Sequence, residues 1–205
     1  YVSFQYGNIY KLKADSPSFF AKVTPGTSVT PDQFSFLTPF KIDPNNNNIM
    51  YLANGRVLLV NPKLDALVSG TYEQNTKDWF RVSGTSTYPI TSIGVSTYPV
   101  QHRVYYGASN GAFYRVDNAN LSNAKRSHNL ASGKGLGAGQ ISCVYVDPTD
   151  ADRVFIVKSN YGVKSVWLTE DGGQSFSSIS GNLEENNDGS GNGPSVRWIT
   201  SIGNN

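Results

Sequence analysis

The sequence predicts an all-β protein made of several small antiparallel sheets, and three observations support this prediction. Aromatic residues account for 12% of the 205 residues, and 20 Gly and 10 Pro provide frequent turns. Short runs in which apolar and polar residues alternate recur along the whole chain, each followed by a turn signal. The chain also repeats itself, with a period of about 52 residues.

The repeat is visible at several spacings that agree with one another. Residues 42–44 (IDP) and the apolar run after them recur 104 residues later at residues 146–148 (VDP), and a related unit with Val95 lies midway. Two further matches are residues 12–23 with residues 168–179, and residues 90–94 (ITSIG) with residues 199–203. Three spacings that fit one period indicate a repeat architecture rather than chance similarity.

Each unit contains four strand signals, labelled a to d in chain order. Strand a alternates apolar with small residues, and strand b is short and rich in Val and Tyr. An Asn-Gly pair at residues 54–55 and again at 110–111 predicts the hairpin turn into strand c. Strand d carries an aromatic and a β-branched residue before a Ser-Gly pair. Four antiparallel strands in a unit of about 50 residues predict a β-propeller blade.

The units divide one predicted domain, residues 1–205, into about four blades. The blades are residues 1–30 (partial, strands b to d), residues 35–84, 88–137 and 140–183 (complete), and residues 196–205 (the first strand of the next blade). Two arrangements fit this count. The chain is part of a larger propeller, its sheets completed by another chain or segment, or it is a four-bladed ring in which residues 197–203 pair with residues 2–5. We favour the larger propeller.

Composition excludes several classes of function. With 38% hydrophobic residues and a net charge of +2, the chain can form a core but has no charge footprint for nucleic acid. No apolar run approaches the roughly 18 residues of a membrane-spanning helix, so we expect no membrane insertion. A single cysteine, Cys143, and two histidines, His102 and His128, exclude Cys-rich and multi-His metal sites. We expect no cofactor.

A motif between strands c and d suggests a family. Residues 169–176 read TEDGGQSF, which resembles the Asp box, or BNR repeat, of bacterial BNR, sortilin-type and xyloglucanase-type β-propellers. Its matching positions are Thr169, Asp171, Gly173, Ser175 and Phe176. Residues 12–20 resemble a worn copy that has lost both glycines. The resemblance implies a structural box away from the ligand face, with Asp171 accepting hydrogen bonds from turn N–H groups and Phe176 buried between sheets.

No catalytic residue can be assigned from the sequence. A glycosidase needs two facing carboxylates, and no position matches the catalytic aspartates of xyloglucanase-type enzymes convincingly. The candidates considered are Asp32, Asp43, Asp65, Asp78, Asp117, Asp147, Asp150 and Asp152. Residues 184–193 place oxygen side chains at a spacing of two, as a calcium loop begins, but the closing acid is missing, so a simple loop is favoured. The string Gly133-Lys134-Gly135 precedes a strand, unlike a P-loop, which makes phosphate binding improbable.

The functional hypothesis is an extracellular or cell-surface propeller that serves as a binding or scaffold module for polysaccharide or protein. The alternative is a fragment of a xyloglucanase-like glycoside hydrolase. The predicted ligand face is built from d–a and b–c loops, including residues 84–90, 132–140 and 184–196, with Tyr88 and Trp198 as candidate contact aromatics. Other aromatics at loop edges are Tyr72, Trp79, Tyr98 and Tyr161.

Overall fold

The computed structural model describes residues 1–28, 30–70 and 77–202, and these form four antiparallel sheets. Sheet 1 contains β1 (Val2–Ser3), β2 (Ile9–Lys13) and β3 (Ser16–Lys22). Sheet 2 contains β4 (Phe40–Asp43), β5 (Asn46–Asn54), β6 (Val57–Asn61) and β7 (Phe80–Arg81), with a 3₁₀ turn at Leu64–Ala66. Sheet 3 contains β8 (Ile90–Val95), β9 (Val104–Ala108) and β10 (Phe113–Val116). Sheet 4 contains β11 (Ile141–Asp147), β12 (Asp150–Lys158), β13 (Val166–Thr169) and β14 (Ser177–Ser178). The all-β prediction is confirmed.

Successive strands of each sheet are hydrogen-bonded neighbours, as expected for an antiparallel meander. The turn after β5 differs in one detail from its prediction. Asn54 pairs with Val57, so the central residues are Gly55 and Arg56, and only Gly55 has a positive φ, of 53°. Asn54 instead reaches the preceding loop, where its side-chain amide bonds both the N–H and the carbonyl of Asp32, at 2.9 and 2.8 Å.

The core lies between the sheets, and strand alternation places it there. On β5, Met50 and Leu52 face sheet 1, whereas Tyr51 faces sheet 3. On β9, Tyr106 faces sheet 2 and Tyr105 faces sheet 4. Side chains one residue apart point to opposite sides of a strand, so sheets 2 and 3 are buried on both faces. Each sheet therefore packs face to face on the next.

The first strands of sheets 2 to 4 lie side by side. Thr91 donates a hydrogen bond of 2.6 Å to the Ile141 carbonyl, and the Val144 N–H donates one of 2.9 Å to Ser92. Gly94 permits this approach, since a Cβ there would lie 2.9 Å from a methyl of Val144. These bonds order the sheets around their first strands. A closed ring stays a prediction, because in the described residues β1 pairs with β2 alone.

Sheet 3 has three strands where the sequence predicts four. Residues 124–130 run beside β10, but only Arg126 forms a bridge with it, opposite Val116. Two N–H groups of β10 that a fourth strand would otherwise bind donate to side chains. The Arg115 N–H donates to Ser127 and the Phe113 N–H to Asn129, both at 3.0 Å. Because side-chain oxygens replace backbone carbonyls, the ladder is interrupted.

Residues 196–202 form no strand, although the sequence predicts one over 196–205; residues 203–205 lie outside the described part. The segment lies along β11 and contacts it through side chains. Ser142 donates to the Arg197 carbonyl at 3.1 Å, and Tyr145 shares a 2.5 Å hydrogen bond with Ser201. Among the described residues, no backbone hydrogen bond joins β11 to this segment, so side chains alone hold it there.

The worn motif at residues 12–20 does not form a box-like loop. Lys13 pairs with Ser16, so Ala14 and Asp15 form a two-residue turn between β2 and β3. Without the two glycines and the extra residues, the chain closes a tight hairpin.

Candidate functional site

The strand order gives the row of sheets two distinct ends. We call one end the loop face: it contains the loops from second to third strands and from each sheet to the next, at residues 31–33, 54–56, 82–89, 109–112, 129–140, 159–165 and 180–196. We call the other end the opposite face: it contains residues 44–45, 61–70, 96–103, 117–123, 148–149 and 170–176. The predicted ligand face corresponds to the loop face.

On the opposite face, a buried carboxylate joins sheets 2 and 3. Asp43, 2% exposed, accepts hydrogen bonds from Tyr51 at 2.6 Å and from Nδ1 of His102 at 2.8 Å, and two more from Asn45. Burial raises the pKa of Asp43, but these hydrogen bonds outweigh it and hold the pKa below its ordinary value. Burial and the bond to Asp43 raise the pKa of Tyr51 far above normal. Asp43 is therefore a structural anion.

A second polar network joins sheets 3 and 4. The guanidinium of Arg103 donates to Asp117 on its own sheet and to Asp152 on the next, the latter at 2.6 Å. Arg115 donates to the Gly172 carbonyl at 3.2 Å, and Tyr105 donates to a carbonyl beside Asp152 at 3.0 Å. Arg103 therefore ties the two aspartates of neighbouring sheets together.

The loop that matches the Asp box lies on this same face. The Asp171 carboxylate accepts hydrogen bonds from Thr169 at 2.8 Å, from Gln174 N–H at 2.8 Å, and from Ser175 N–H and hydroxyl at 2.9 and 2.5 Å. Burial raises the pKa of Asp171, but the hydrogen bonds together outweigh burial and lower the pKa to about 2. Phe176 packs edge-on against Phe113 of sheet 3, with ring centroids 5.8 Å apart. That this loop stabilises the fold, rather than binding a ligand, stays a prediction.

The remaining candidate carboxylates are dispersed. Asp32 pairs with Arg56 at 3.1 Å and Asp78 with Lys63 at 3.0 Å, both on the surface. Asp147 accepts bonds from Thr149, Asp150 accepts one from the Asp152 N–H, and Asp65 lies on the 3₁₀ turn. Among the described residues, Asp117 and Asp152 alone combine half-exposed carboxylates with positions on neighbouring sheets that one arginine bridges.

The loop face carries two open grooves. The arginine groove, about 310 Å³, is lined among others by Asp32, Arg56, Arg81, Gly84 and Thr85. The glycine groove, about 340 Å³, is lined by Asn110, Gly111, Ala112, Asn129, Ala131, Gly133, Gly135, Gly137 and Ala138. Both are formed where a second-to-third-strand turn meets the loop that leads to the neighbouring sheet, so the repeat places them at equivalent positions.

Both candidate contact aromatics are exposed, Tyr88 on the loop face and Trp198 two residues beyond its last segment. Tyr88 is 49% and Trp198 is 67% exposed, and Tyr161, one of the loop-edge aromatics, is 74% exposed. A 2.5 Å hydrogen bond from Ser195 to the Ser159 carbonyl holds the segment that bears Trp198 beside the loop that bears Tyr161. Of the other loop-edge aromatics, Trp79 is buried in the core, Tyr98 is exposed on the opposite face, and Tyr72 lies outside the described residues.

The oxygen-rich loop at residues 184–193 is closed by its own hydrogen bonds. Ser190 donates to Asp188 and accepts from Asn186 at 3.0 Å, and the Asn192 N–H donates to Glu185 at 3.1 Å. Glu184 is buried and accepts from the N–H and hydroxyl of Ser165. In the part of the chain that the structure describes, no three His, Cys, Asp or Glu side chains converge as metal ligands. Calcium binding at this loop stays a prediction.

The structure brings together residues that sequence inspection had kept apart. Lys158, at the end of β12, is buried under the glycine-rich loop at residues 132–139 and is not part of any motif. Its only sequence signal is a lysine at the end of an apolar strand.

The search for membrane-spanning helices among residues 1–28, 30–70 and 77–202 finds none with the required length and hydrophobicity.

Comparison with known proteins gives structural likeness only. No protein-family model and no curated protein matches the sequence. Among solved structures, the chain is similar to a GH74 enzyme from Niastella koreensis, with 15% identity and a TM-score of 0.49, over 87% of this chain and 30% of that one. It is also similar to the GH74 xyloglucanase from Xanthomonas campestris, with 12% identity and a TM-score of 0.45, over 87% of this chain and 31% of that one.

The chain thus spans about a third of each of these two enzymes. Because both TM-scores lie below 0.5, the likenesses do not decide between a binding module and a glycosidase. The proposal below rests on the geometry of the chain itself.

Proposed function

We propose that the chain is part of a carbohydrate-active β-propeller and that its loop face binds polysaccharide. The supporting observation is that the exposed rings of Tyr88 and Tyr161 share this face with open polar grooves, and that the exposed ring of Trp198 lies two residues beyond its last segment. Tyr and Trp offer a flat apolar surface together with a polar group, which suits contact with a sugar ring. A polysaccharide ligand would be met outside the cell or at its surface.

The two ends of the row of sheets expose different side chains, and this difference supports the proposal. The opposite face is occupied by buried or paired groups, such as Asp43 with His102 and Arg103 with Asp117 and Asp152. These side chains fasten neighbouring sheets together. The loop face carries the exposed rings of Tyr88 and Tyr161. Within a glycoside hydrolase, it would supply substrate-binding subsites.

The test is polysaccharide binding by the intact chain, measured by isothermal titration with soluble β-glucan, xyloglucan and uronan oligosaccharides. For any glycan that wild type binds, Tyr161→Ala and Trp198→Ala should each lower the affinity about ten-fold. A stacked ring contributes on the order of 1–2 kcal/mol to binding. Tyr98→Ala, the same change at a tyrosine 65% exposed on the opposite face, is the control and should bind like wild type. Equal losses in all three variants, or no binding of any glycan, would contradict the proposal.

Hydrolysis is the second candidate activity, and one observation favours testing it. Asp117 and Asp152 are two half-exposed carboxylates on neighbouring sheets, the residue type that glycosidases use in pairs. If the chain cleaves polysaccharide through them, Asp117→Asn and Asp152→Asn will each abolish release of reducing sugar, while Asp65→Asn will not. Binding without any release of reducing sugar would assign the chain to binding alone.

A further inference from the structure

The two ends of the row of sheets carry complementary parts of one further sheet. In sheets 2, 3 and 4, a first strand pairs with the second strand of the same sheet. Sheet 1 has three strands, and its strand β1 pairs with β2 alone among the described residues. Because residues 12–23 repeat residues 168–179, β2 and β3 correspond to a third and a fourth strand, and β1 to a second strand. Sheet 1 therefore has no first strand in the described part of the chain.

The segment at residues 196–202 has the sequence of a first strand. Residues 199–202 (ITSI) are identical to residues 90–93, which in β8 pair with β9. In the segment, no backbone group bonds another backbone group of the described chain. Ile202 is 97% exposed, whereas its counterpart Ile93 is 8% exposed. Unpaired backbone next to exposed apolar side chains favours pairing with the open edge of a sheet.

The face of sheet 1 that is turned away from sheet 2, which we call its outer face, is apolar. Ile9 and Ala21 are buried against sheet 2, so the alternate residues of β2, Tyr10 and Leu12, point to the outer face. Val2 lies opposite Tyr10 and shares this face. Val2 and Leu12 are 40% and 50% exposed. In sheets 2 and 3 both faces are covered by neighbouring sheets, so the outer face of sheet 1 is a surface that the repeat elsewhere buries.

The face of sheet 4 that is turned away from sheet 3, its outer face, is also apolar. Ile156 packs against sheet 3, so the adjacent Phe155 points outward, and Tyr145 and Leu168 lie opposite Phe155 on the strands to either side. The rings of Tyr145 and Phe155 have centroids 6.0 Å apart, and the three side chains are half-buried. Tyr51, 104 residues before Phe155, is fully buried against sheet 3. A further sheet would bury Phe155 in the same way.

Within one chain, the two ends are held apart. Sheet 1 packs on sheet 2 and sheet 4 packs on sheet 3, and no core cluster of the described residues joins sheets 1 and 4. Sheets 2 and 3 therefore separate β1 from residues 196–202 of the same chain. In two copies, sheet 4 of each copy can meet sheet 1 of the other without any change in the core. Two such contacts close a ring of eight sheets, within the about four to eight blades of most propellers.

We propose that two copies of this chain form a closed dimer in which residues 197–202 of each copy add the first strand to sheet 1 of the other copy. The outer face of sheet 4 then packs on the outer face of sheet 1 of the other copy, as neighbouring sheets pack within the chain. This arrangement pairs the free edge of β1 and buries both apolar outer faces. It goes beyond the proposed polysaccharide binding and does not depend on it.

The pairing within sheet 3 gives the expected register of the exchanged strand. Ile93 and Tyr114 lie on either side of the same second-strand residue. In sheet 1, Val2 is the second-strand residue opposite Tyr10, and both Tyr10 and Tyr114 are turned away from the following sheet. Because Ile202 repeats Ile93, we expect Ile202 to lie opposite Val2 of the other copy.

The first experiment measures the mass of the intact chain in solution by analytical ultracentrifugation over a range of concentrations. We expect a species of twice the chain mass that does not grow further as the concentration rises, because a closed ring leaves no free end. A monomer at every concentration would overturn the inference. A series of larger species would also overturn it, because the ends would then meet without closing the ring.

Cysteine cross-linking distinguishes pairing between copies from closure within one chain. Val2→Cys and Ile202→Cys, combined in a Cys143→Ala background, place two thiols at positions expected to be opposite. Opposite residues of antiparallel strands have Cα atoms about 4.5–5.5 Å apart, a separation that a disulfide spans. Oxidation should therefore give a covalent dimer on a non-reducing gel. A disulfide within the monomer, or no disulfide at all, would contradict the exchange.

The matched control for cross-linking replaces Val2→Cys by Tyr98→Cys and keeps the other two changes. Tyr98 is also exposed, but it lies on the opposite face of sheet 3, away from either outer face. We expect no covalent dimer from this variant. As much covalent dimer as from the Val2→Cys variant would show that the cross-linking is non-specific and would remove its support for the exchange.

Two lysine substitutions test the strand and the face separately. Ile202 and Leu12 are largely exposed in one chain, so Ile202→Lys and Leu12→Lys should leave its fold intact, whereas the dimer would bury each charge against apolar side chains. Each change should raise the dissociation constant of the dimer at least about ten-fold. Leu121→Lys, the same change at an exposed leucine of the opposite face, should dimerise like wild type. Wild-type dimerisation by both test variants, or an equal loss in all three, would contradict the proposal.

Discussion

Replacing Asp171 by alanine tests the structural interpretation of the box-like loop. Four hydrogen bonds converge on this carboxylate, two from backbone N–H groups and two from hydroxyls. The side chain acts as a cap for the turn, and losing a cap costs about 1–2 kcal/mol. For a chain of this size, that loss corresponds to a fall in melting temperature of about 2–8 °C.

Asp15 provides the matched control, because it occupies the equivalent position of the repeat and accepts no hydrogen bond from a described residue. Asp15→Ala should change the melting temperature by no more than about 2 °C, because surface substitutions usually cost within about 0.5 kcal/mol. The difference between the two variants should shrink at low pH. The pKa of Asp171 is lowered to about 2, so its stabilising effect is complete above about pH 4 and is lost as the pH falls through 2. Equal melting temperatures for the two variants at pH 7, or a folded Asp171→Ala that no longer binds glycan, would refute the structural interpretation.

Two further predictions concern buried polar groups. Tyr51→Phe removes one hydrogen-bond donor from the buried Asp43, so the free energy of unfolding measured by chemical denaturation should fall by about 1–3 kcal/mol. Tyr145→Phe is the control, because the hydroxyl of Tyr145 is exposed. If Tyr51→Phe is as stable as wild type, this hydrogen bond does not hold Asp43 as an anion. The second prediction is the pH dependence of stability that Lys158 causes. Burial lowers the pKa of Lys158 from 10.5 to about 8, so between these two pH values the unfolded chain binds more protons than the folded chain. The stability of wild type relative to Lys158→Met should therefore rise from pH 8 to 10.5, and a flat or falling difference would contradict this burial.

The repeat made the sheets predictable from the sequence. Alternation on strands such as β5 and β9 identifies residues that are buried on both faces, and the 104-residue spacing places Asp43 and Asp147 at equivalent turns. The interruption of the fourth strand of sheet 3 was not predictable in this way. It depends on Ser127 and Asn129 placing side-chain oxygens where a backbone carbonyl would stand, and pattern rules treat both simply as polar residues.

The candidate site was predictable only in outline. Loop topology predicts which end carries Tyr88, and an aromatic near a loop is an ordinary signal for a contact surface. The pairing of Lys158 with the loop at residues 132–139 joins segments more than 20 residues apart, and it depends on the sign of φ at four glycines. The string Gly133-Lys134-Gly135 draws attention to Lys134, whose ammonium donates to the Gly173 carbonyl at 2.9 Å. The lysine buried under this loop is Lys158, which the string does not contain.

The most direct test of polysaccharide binding by the loop face is amide hydrogen exchange with and without a saturating concentration of a glycan that the chain binds. We predict slower exchange at the loop-face amides of residues 84–88 and 159–165, with no change at residues 96–103 or 170–176 of the opposite face. Protection confined to the opposite face, or no protection anywhere when the ligand is bound, would contradict this prediction.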